Sequence, residues 1–252
     1  TTLTGVWEHV TPISLTNPSP RSAHSMVFFL DSVQPTQKGL TLMFGGSPTD
    51  TWIWSWNGQL WTQLPSVERP LPRRGAAMAY VSSDEVILYG GEATYAFADT
   101  WRFNGSAWKQ LQPPANAGGR IFASAAFDEI IEAVRLVGGY DQKTETGPKT
   151  LMADEWHWQG STWTKLLGQP APARWSASLA FARTASVLFG GTSHGVSGTN
   201  ELWVSSAWKL ASTSSPPPPR FGAAMAFSEV RGRVVLFGGV HDGELYGGTW
   251  ER

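Results

Sequence analysis

Cysteine is absent from the 252 residues, which removes disulfides, thiolate metal ligands and cysteine nucleophiles and leaves the redox compartment open. No stretch approaches the roughly 18 consecutive apolar residues of a membrane helix. Thr1 to Pro20 lacks the basic start and apolar middle of a secretory signal, so a soluble chain with no membrane partner is expected and its localisation stays undefined. Charge of one sign is also lacking. The 19 Lys and Arg nearly balance 20 Asp and Glu, for a net charge of −1, which argues against nucleic acid or an anionic bilayer held by bulk charge. Walker loops, dinucleotide fingerprints and Gly-x-Ser-x-Gly elbows do not occur, and no cofactor is expected. No metal is expected either, because His241-Asp242-x-Glu244 places three ligand types within four residues but at no established ligand spacing. Helix is scarcely supported. The abundant residues are turn formers and aromatics, 27 Gly, 17 Pro and 14 Trp, a mixture that suits many short strands.

These residues recur with a period. Five double glycines, Gly45-Gly46, Gly90-Gly91, Gly138-Gly139, Gly190-Gly191 and Gly238-Gly239, each end a β-prone run and follow one another at steps of 45, 48, 52 and 48 residues. Upstream of each stands an arginine that leads into small residues: Arg21, Arg73, Arg120, Arg174 and Arg220, with an aromatic seven places on in every case. Downstream stands a tryptophan: Trp54, Trp101, Trp156, Trp203 and Trp250. In three units the motif is Trp-x-aromatic-Asn/Gln-Gly-x-x-Trp, two period-2 strands about a turn whose glycine tolerates positive φ, a strong hairpin signal. Each unit thus reads as four strands. The fifth stops at Trp250-Glu251-Arg252, but Thr4 to Val10 resembles the fourth strand Gly105 to Leu111, so the N-terminus is expected to complete the last unit. Such closure removes exposed sheet edges. The expected architecture is a single all-β domain over 1–252, with units over 21–64, 73–111, 120–166, 174–210 and 220–252 plus 1–10.

The Pro-Arg start, the double glycine after an apolar strand and the tryptophan downstream resemble the kelch-repeat β-propeller family over essentially the whole chain. The resemblance implies four-stranded antiparallel blades around an axis. It departs from the family in two respects: kelch propellers more often have six or seven blades, and Trp here largely replaces the mixed Tyr and Trp of the third strand.

In such a meander the link into strand one and the link between strands two and three share one end, so the arginines and the loops after the double glycines gather on one face. The five arginines read either as braces serving each repeat or as planar donors for a carboxylate or phosphate. The column after them changes character, Ser22, Arg74, Ile121, Trp175 and Phe221, and Arg74 alone is charged. In peptide-binding kelch domains arginines at or beside this position contact ligands, which the resemblance carries to Arg74. Trp175 and Phe221, with Ile121, are expected to wall the mouth beside it. The unequal loops add Glu92, Tyr95, Tyr140, His194, His241 and Asp242. His24 stands where the other four units have Ala76, Ala123, Ala177 and Ala223; it is either a structural imidazole or an acid/base group near the axis.

Two functions are compatible with these residues. The first is a monomeric binding module that holds a small acidic ligand, a peptide or a protein on the arginine face. The second is a cofactor-independent isomerase, mutarotase or cyclase using His24, Glu92 or Asp242 in an axial pocket, a possibility the resemblance raises because some bacterial kelch proteins are mutarotases. A five-membered ring leaves little axial space, so a pocket at the mouth is expected rather than a through-channel.

Overall fold

The computed structural model describes residues 17–29, 39–47, 53–56, 60–64, 67–82, 85–144, 146–168, 172–205 and 207–252. Every regular element among them is a β-strand. Four sheets are four-stranded antiparallel meanders in chain order: Ser25–Phe29 to Trp61–Leu64, Ala77–Ser82 to Trp108–Leu111, Ser124–Asp128 to Thr162–Lys165, and Ser178–Phe181 to Lys209–Leu210. A fifth sheet has three strands, Ala224–Ser228, Arg233–Phe237 and Thr249–Glu251. The segment expected to complete it, Thr4 to Val10, lies outside the described residues.

The register follows the repeat. The third-strand tryptophan lies opposite the second-strand residue two before the double glycine in every sheet: Met43↔Trp54, Leu88↔Trp101, Leu136↔Trp156, Leu188↔Trp203 and Leu236↔Trp250. The Asn104-Gly105 and Gln159-Gly160 turns bring aromatics directly across, Phe103↔Trp108 and Trp158↔Trp163. Such cross-strand aromatic pairs stabilise a hairpin by up to about 1 kcal/mol each.

No sheet contains the core. Hydrophobic clusters lie between successive sheets, joining first to second, second to third, third to fourth and fourth to fifth. The fourth-strand tryptophan of one sheet covers the residue that precedes the double glycine in the sheet before it. Trp108 meets Phe44 at 5.4 Å between centroids and Trp163 meets Tyr89 at 5.0 Å, while Trp208 clusters with Val137. Phe44, Tyr89 and Val137 are accordingly at most 2% exposed, whereas Phe237, the matching residue of the last sheet, is 36% exposed.

The sheets are also sewn together by backbone. The first strands lie side by side around an axis, and a head-to-tail chain of hydrogen bonds crosses four junctions: Gly75 N to Ala23 O, Phe122 N to Gly75 O, Ser176 N to Phe122 O and Gly222 N to Ser176 O, all 2.8–2.9 Å. A second chain links each arginine carbonyl to the preceding sheet's double glycine: Gly46 N to Arg73 O, Gly91 N to Arg120 O, Gly139 N to Arg174 O and Gly191 N to Arg220 O. That contact explains the first glycine of each pair. Gly90 has φ +67, and a Cβ there would sit 2.5 Å from Arg120 O; at Gly45, Gly138 and Gly190 a Cβ would strike the matching arginine carbonyl. Among the described residues neither chain continues from the fifth sheet to the first.

Candidate functional site

Each recurring arginine reaches back to its own double glycine. Nη1 of Arg21, Arg73, Arg120, Arg174 and Arg220 donates to the carbonyls of Gly45, Gly90, Gly138, Gly190 and Gly238 at 2.7–2.9 Å. Arg73, Arg120, Arg174 and Arg220 are buried. Three of them also hold a carboxylate that stands two residues before the third-strand tryptophan: Arg73 with Asp99, Arg120 with Asp154 and Arg174 with Glu201, at 2.5–2.6 Å. The tryptophan donates its indole N–H to the same carboxylate, Trp101 to Asp99, Trp156 to Asp154 and Trp203 to Glu201. Burial raises the pKa of Asp154, but the Arg120 charge and the hydrogen bonds from Trp156, Arg120 and Lys165 outweigh it and hold the carboxyl below its usual range.

At the arginine end of the axis lies a depression of about 580 Å³ lined by residues from the start of the first strand in all five sheets. Its walls are Phe122, Trp175 and Phe221, with Met26, Met225 and His24. Trp175 stands between Phe122 and Phe221, at 5.6 and 5.9 Å between centroids. The position two after each arginine turns here through positive φ: Ala23 56°, Gly75 63°, Phe122 53°, Ser176 51° and Gly222 66°. For a bulky aromatic such as Phe122 this conformation costs of order 1–3 kcal/mol. Among the described residues His24 Nδ1 is buried without a partner. Burial, then the nearby Arg21 charge, lowers the His24 pKa, so the imidazole is neutral at pH 7.

Beside this depression Arg74, Glu92, Tyr140 and Trp175 come together. Arg74 Nε pairs with Glu92 Oε1 at 2.9 Å, and the two backbones form a bridge. Tyr140 and Trp175 meet edge to face at 5.2 Å over Ile121. Burial and then the Glu92 charge, opposed by Arg74, push the Tyr140 hydroxyl up to about 12. Lys149 Nζ lies over both rings, 4.5 Å from Tyr140 and 4.7 Å from Trp175. The other loop residues lie apart from it. Tyr95 is exposed and lies tilted against Phe97, 6.4 Å between centroids. His241, Asp242 and Ser197 join the fourth and fifth sheets' loops: His241 Nδ1 accepts from Gly198 N, His241 Nε2 pairs with Asp242, and Ser197 Oγ donates to Asp242. His194 Nδ1 accepts from Val196 N in the same loop. Among the described residues no three His, Asp or Glu side chains converge as they would around a metal ion.

Sequence reasoning passed over two features. Phe122 is the one bulky residue in a column otherwise Ala23, Gly75, Ser176 and Gly222, the same kind of exception that singled out Arg74. A buried charged network inside the third sheet links Asp128, Arg135, Glu155 and His157: Arg135 pairs with Asp128 at 2.7 Å and with Glu155, and His157 Nε2 contacts Glu155 at 2.6 Å. Trp208 Nε1 and Ser186 Oγ, from the fourth sheet, donate to Glu155 and Asp128.

The arrangement has solved counterparts. The structure of YjhT overlays on 88% of this chain and 73% of its own, with a TM-score of 0.70 and 15% sequence identity. The chain is a β-propeller. No family model matches it, and no curated protein does. Among the described residues of this propeller no helix is long and apolar enough to cross a membrane.

Proposed function

We propose that this propeller is a ligand-binding module whose site is the axial depression at the arginine end, and that it takes a peptide, a protein segment or a small acidic molecule bearing an apolar group. The observation that carries this is the convergence of Phe122, Trp175 and Phe221 on one depression, with Phe122 a bulky aromatic at a positive-φ position that Ala23, Gly75, Ser176 and Gly222 fill with small residues. The Arg74–Glu92 pair and Lys149 supply polar groups at its rim. Selection of phage-displayed peptides and a thermal-shift screen of small organic acids test the reading. Binders should lose at least about tenfold in affinity on Trp175→Ala or Phe122→Ala, equivalent to about 1.4 kcal/mol. Val230→Ala, on an exposed turn at the other end, should leave binding unchanged. Undiminished binding to a Trp175→Ala/Phe122→Ala double variant would refute the site.

A second reading, an isomerase or mutarotase, is favoured by one observation, a neutral His24 that lines the same depression and whose buried Nδ1 has no partner among the described residues. Exchange of sugar anomers followed by NMR, in the protein and in His24→Ala, tests it; equal rates would dispose of it. The repeats are proposed to be of kelch type and to make five blades, with Thr4 to Val10 as the last fourth strand. Supporting this is a cavity of about 360 Å³ between the fourth and fifth sheets, lined by Phe189, Leu202, Met225, Leu236 and Trp250. It stands where Trp208, Trp163 and Trp108 stand one, two and three junctions earlier.

A further inference from the structure

Four of the recurring arginines can be compared atom by atom, and one lacks what the others hold. The first glycine N–H of each pair donates to the carbonyl of the residue two before the third-strand tryptophan: Gly90 to Asp99, Gly138 to Asp154, Gly190 to Glu201 and Gly238 to Gly248. These four positions are therefore structurally equivalent. Three carry a carboxylate that accepts from both the arginine and the indole. The fourth is glycine.

Arg220 nonetheless keeps the rest of the arrangement. It is 1% exposed, its Nε donates to Pro218 O at 3.1 Å and its Nη1 to Gly238 O at 2.7 Å. Its guanidinium lies 4.5 Å from the centroid of Tyr246, as Arg73 lies 4.0 Å from Phe97. Among the described residues Nη2 of Arg220 and Nε1 of Trp250 have no partner. Burial lowers the pKa of Arg220, the mark of a cation without a counter-charge. Among the described residues a Cβ at Gly248 would lie 3.6 Å from Trp250 Nε1 and meet nothing else within 4 Å. Gly248 itself is exposed.

We infer that Arg220 Nη2 and Trp250 Nε1 form a binding site for the carboxylate of a ligand, an external acid taking the place that Asp99, Asp154 and Glu201 take in the sister sheets. A guanidinium edge with no carboxylate partner and an indole N–H select a planar anion with two acceptor oxygens. Absence of a side chain at position 248 leaves the approach from solvent clear. This site is separate from the axial depression, and either can fail without the other.

The variant Gly248→Asp tests it, because Gly248 does not adopt positive φ and tolerates a side chain. In thermal unfolding at pH 7, 100 mM sodium acetate should raise the Tm of the unmodified protein by about 3 °C over sodium chloride of equal ionic strength. Gly248→Asp should show a similar rise in chloride alone and respond to acetate by less than about 1 °C. Acetate should also shift one indole N–H resonance, the one missing in Trp250→Phe. The capped peptide Ac-Gly-Glu-Gly-NH2 distinguishes the source of the carboxylate: saturation at tenfold lower concentration than acetate assigns an acidic polypeptide, and equal concentrations assign a free acid. Equal acetate responses in the protein and in Gly248→Asp would overturn the inference. So would an unchanged Tm and an unmoved Trp250 N–H in acetate.

Discussion

Replacing Gly90 by alanine should open the junction between the second and third sheets, and the cost can be built from its parts. An alanine at φ +67 bears the left-handed penalty of about 1–2 kcal/mol. Its Cβ would also stand 2.5 Å from the Arg120 carbonyl, so the carbonyl must retreat and the 2.7 Å bond from Gly91 N is lost. Leaving that buried donor without an acceptor adds about 1–3 kcal/mol. The sum is about 2–5 kcal/mol, or roughly 10 °C in Tm for a chain of this size. Gly160 is the control. It has φ +63 in the hairpin turn after Gln159, with nothing within 4 Å of its Cβ, so Gly160→Ala bears the left-handed penalty alone, about 4 °C. Thermal unfolding followed by tryptophan fluorescence compares the two. Equal shifts would refute the idea that the double glycine exists to receive the next sheet's carbonyl.

Other perturbations probe the ring and the buried charges. Gly238→Ala should cost as much as Gly90→Ala in a closed five-bladed ring, where Arg21 O would meet Gly238; a shift like that of Gly160→Ala would leave the ring open. Trp7→Ala should destabilise by about 3–5 kcal/mol in urea unfolding, as Trp108→Ala should, if both fill slots between sheets. For Asp128 and Glu155 burial alone would raise the pKa, but Arg135 with Ser186 at Asp128, and His157, Trp208 and Arg135 at Glu155, outweigh it and hold both carboxyls below their ordinary values. Depressed carboxylates stabilise the fold above about pH 4 and lose that contribution as pH falls through their folded values. Arg135→Met should flatten the acid limb of a stability-versus-pH curve, and an unchanged limb would remove the network from its cause. His24, also depressed, adds a separate loss that begins as pH falls below about 6.5, and His24→Ala should erase that portion.

The parts of the fold that were legible in the sequence are those written into every repeat. Strand order, the Asn-Gly hairpins and the tryptophan register depend on neighbours within one unit, where spacing is informative. What the double glycine does was hidden, because the atom it receives belongs to the next unit, some 30 residues away. Phe122 and Gly248 were visible in principle, each an exception in an otherwise uniform column. The Asp128, Arg135, Glu155 and His157 network was not, since its members sit on three strands of one sheet with no counterpart in the others to set a pattern.

The head-to-tail hydrogen bonds along the axis give the row of sheets a direction. Each unit donates to the one before it, so Ala23 N–H and the Gly222 carbonyl are unlike ends of a polar stack. Heterologous contacts of this kind accept one more identical unit, or one fewer, without any new interface being invented. The number of sheets is therefore a countable variable that duplication or loss of a segment of about 48 residues could change in single steps, while the carboxylate-lacking position of the last unit travels with it as a private feature.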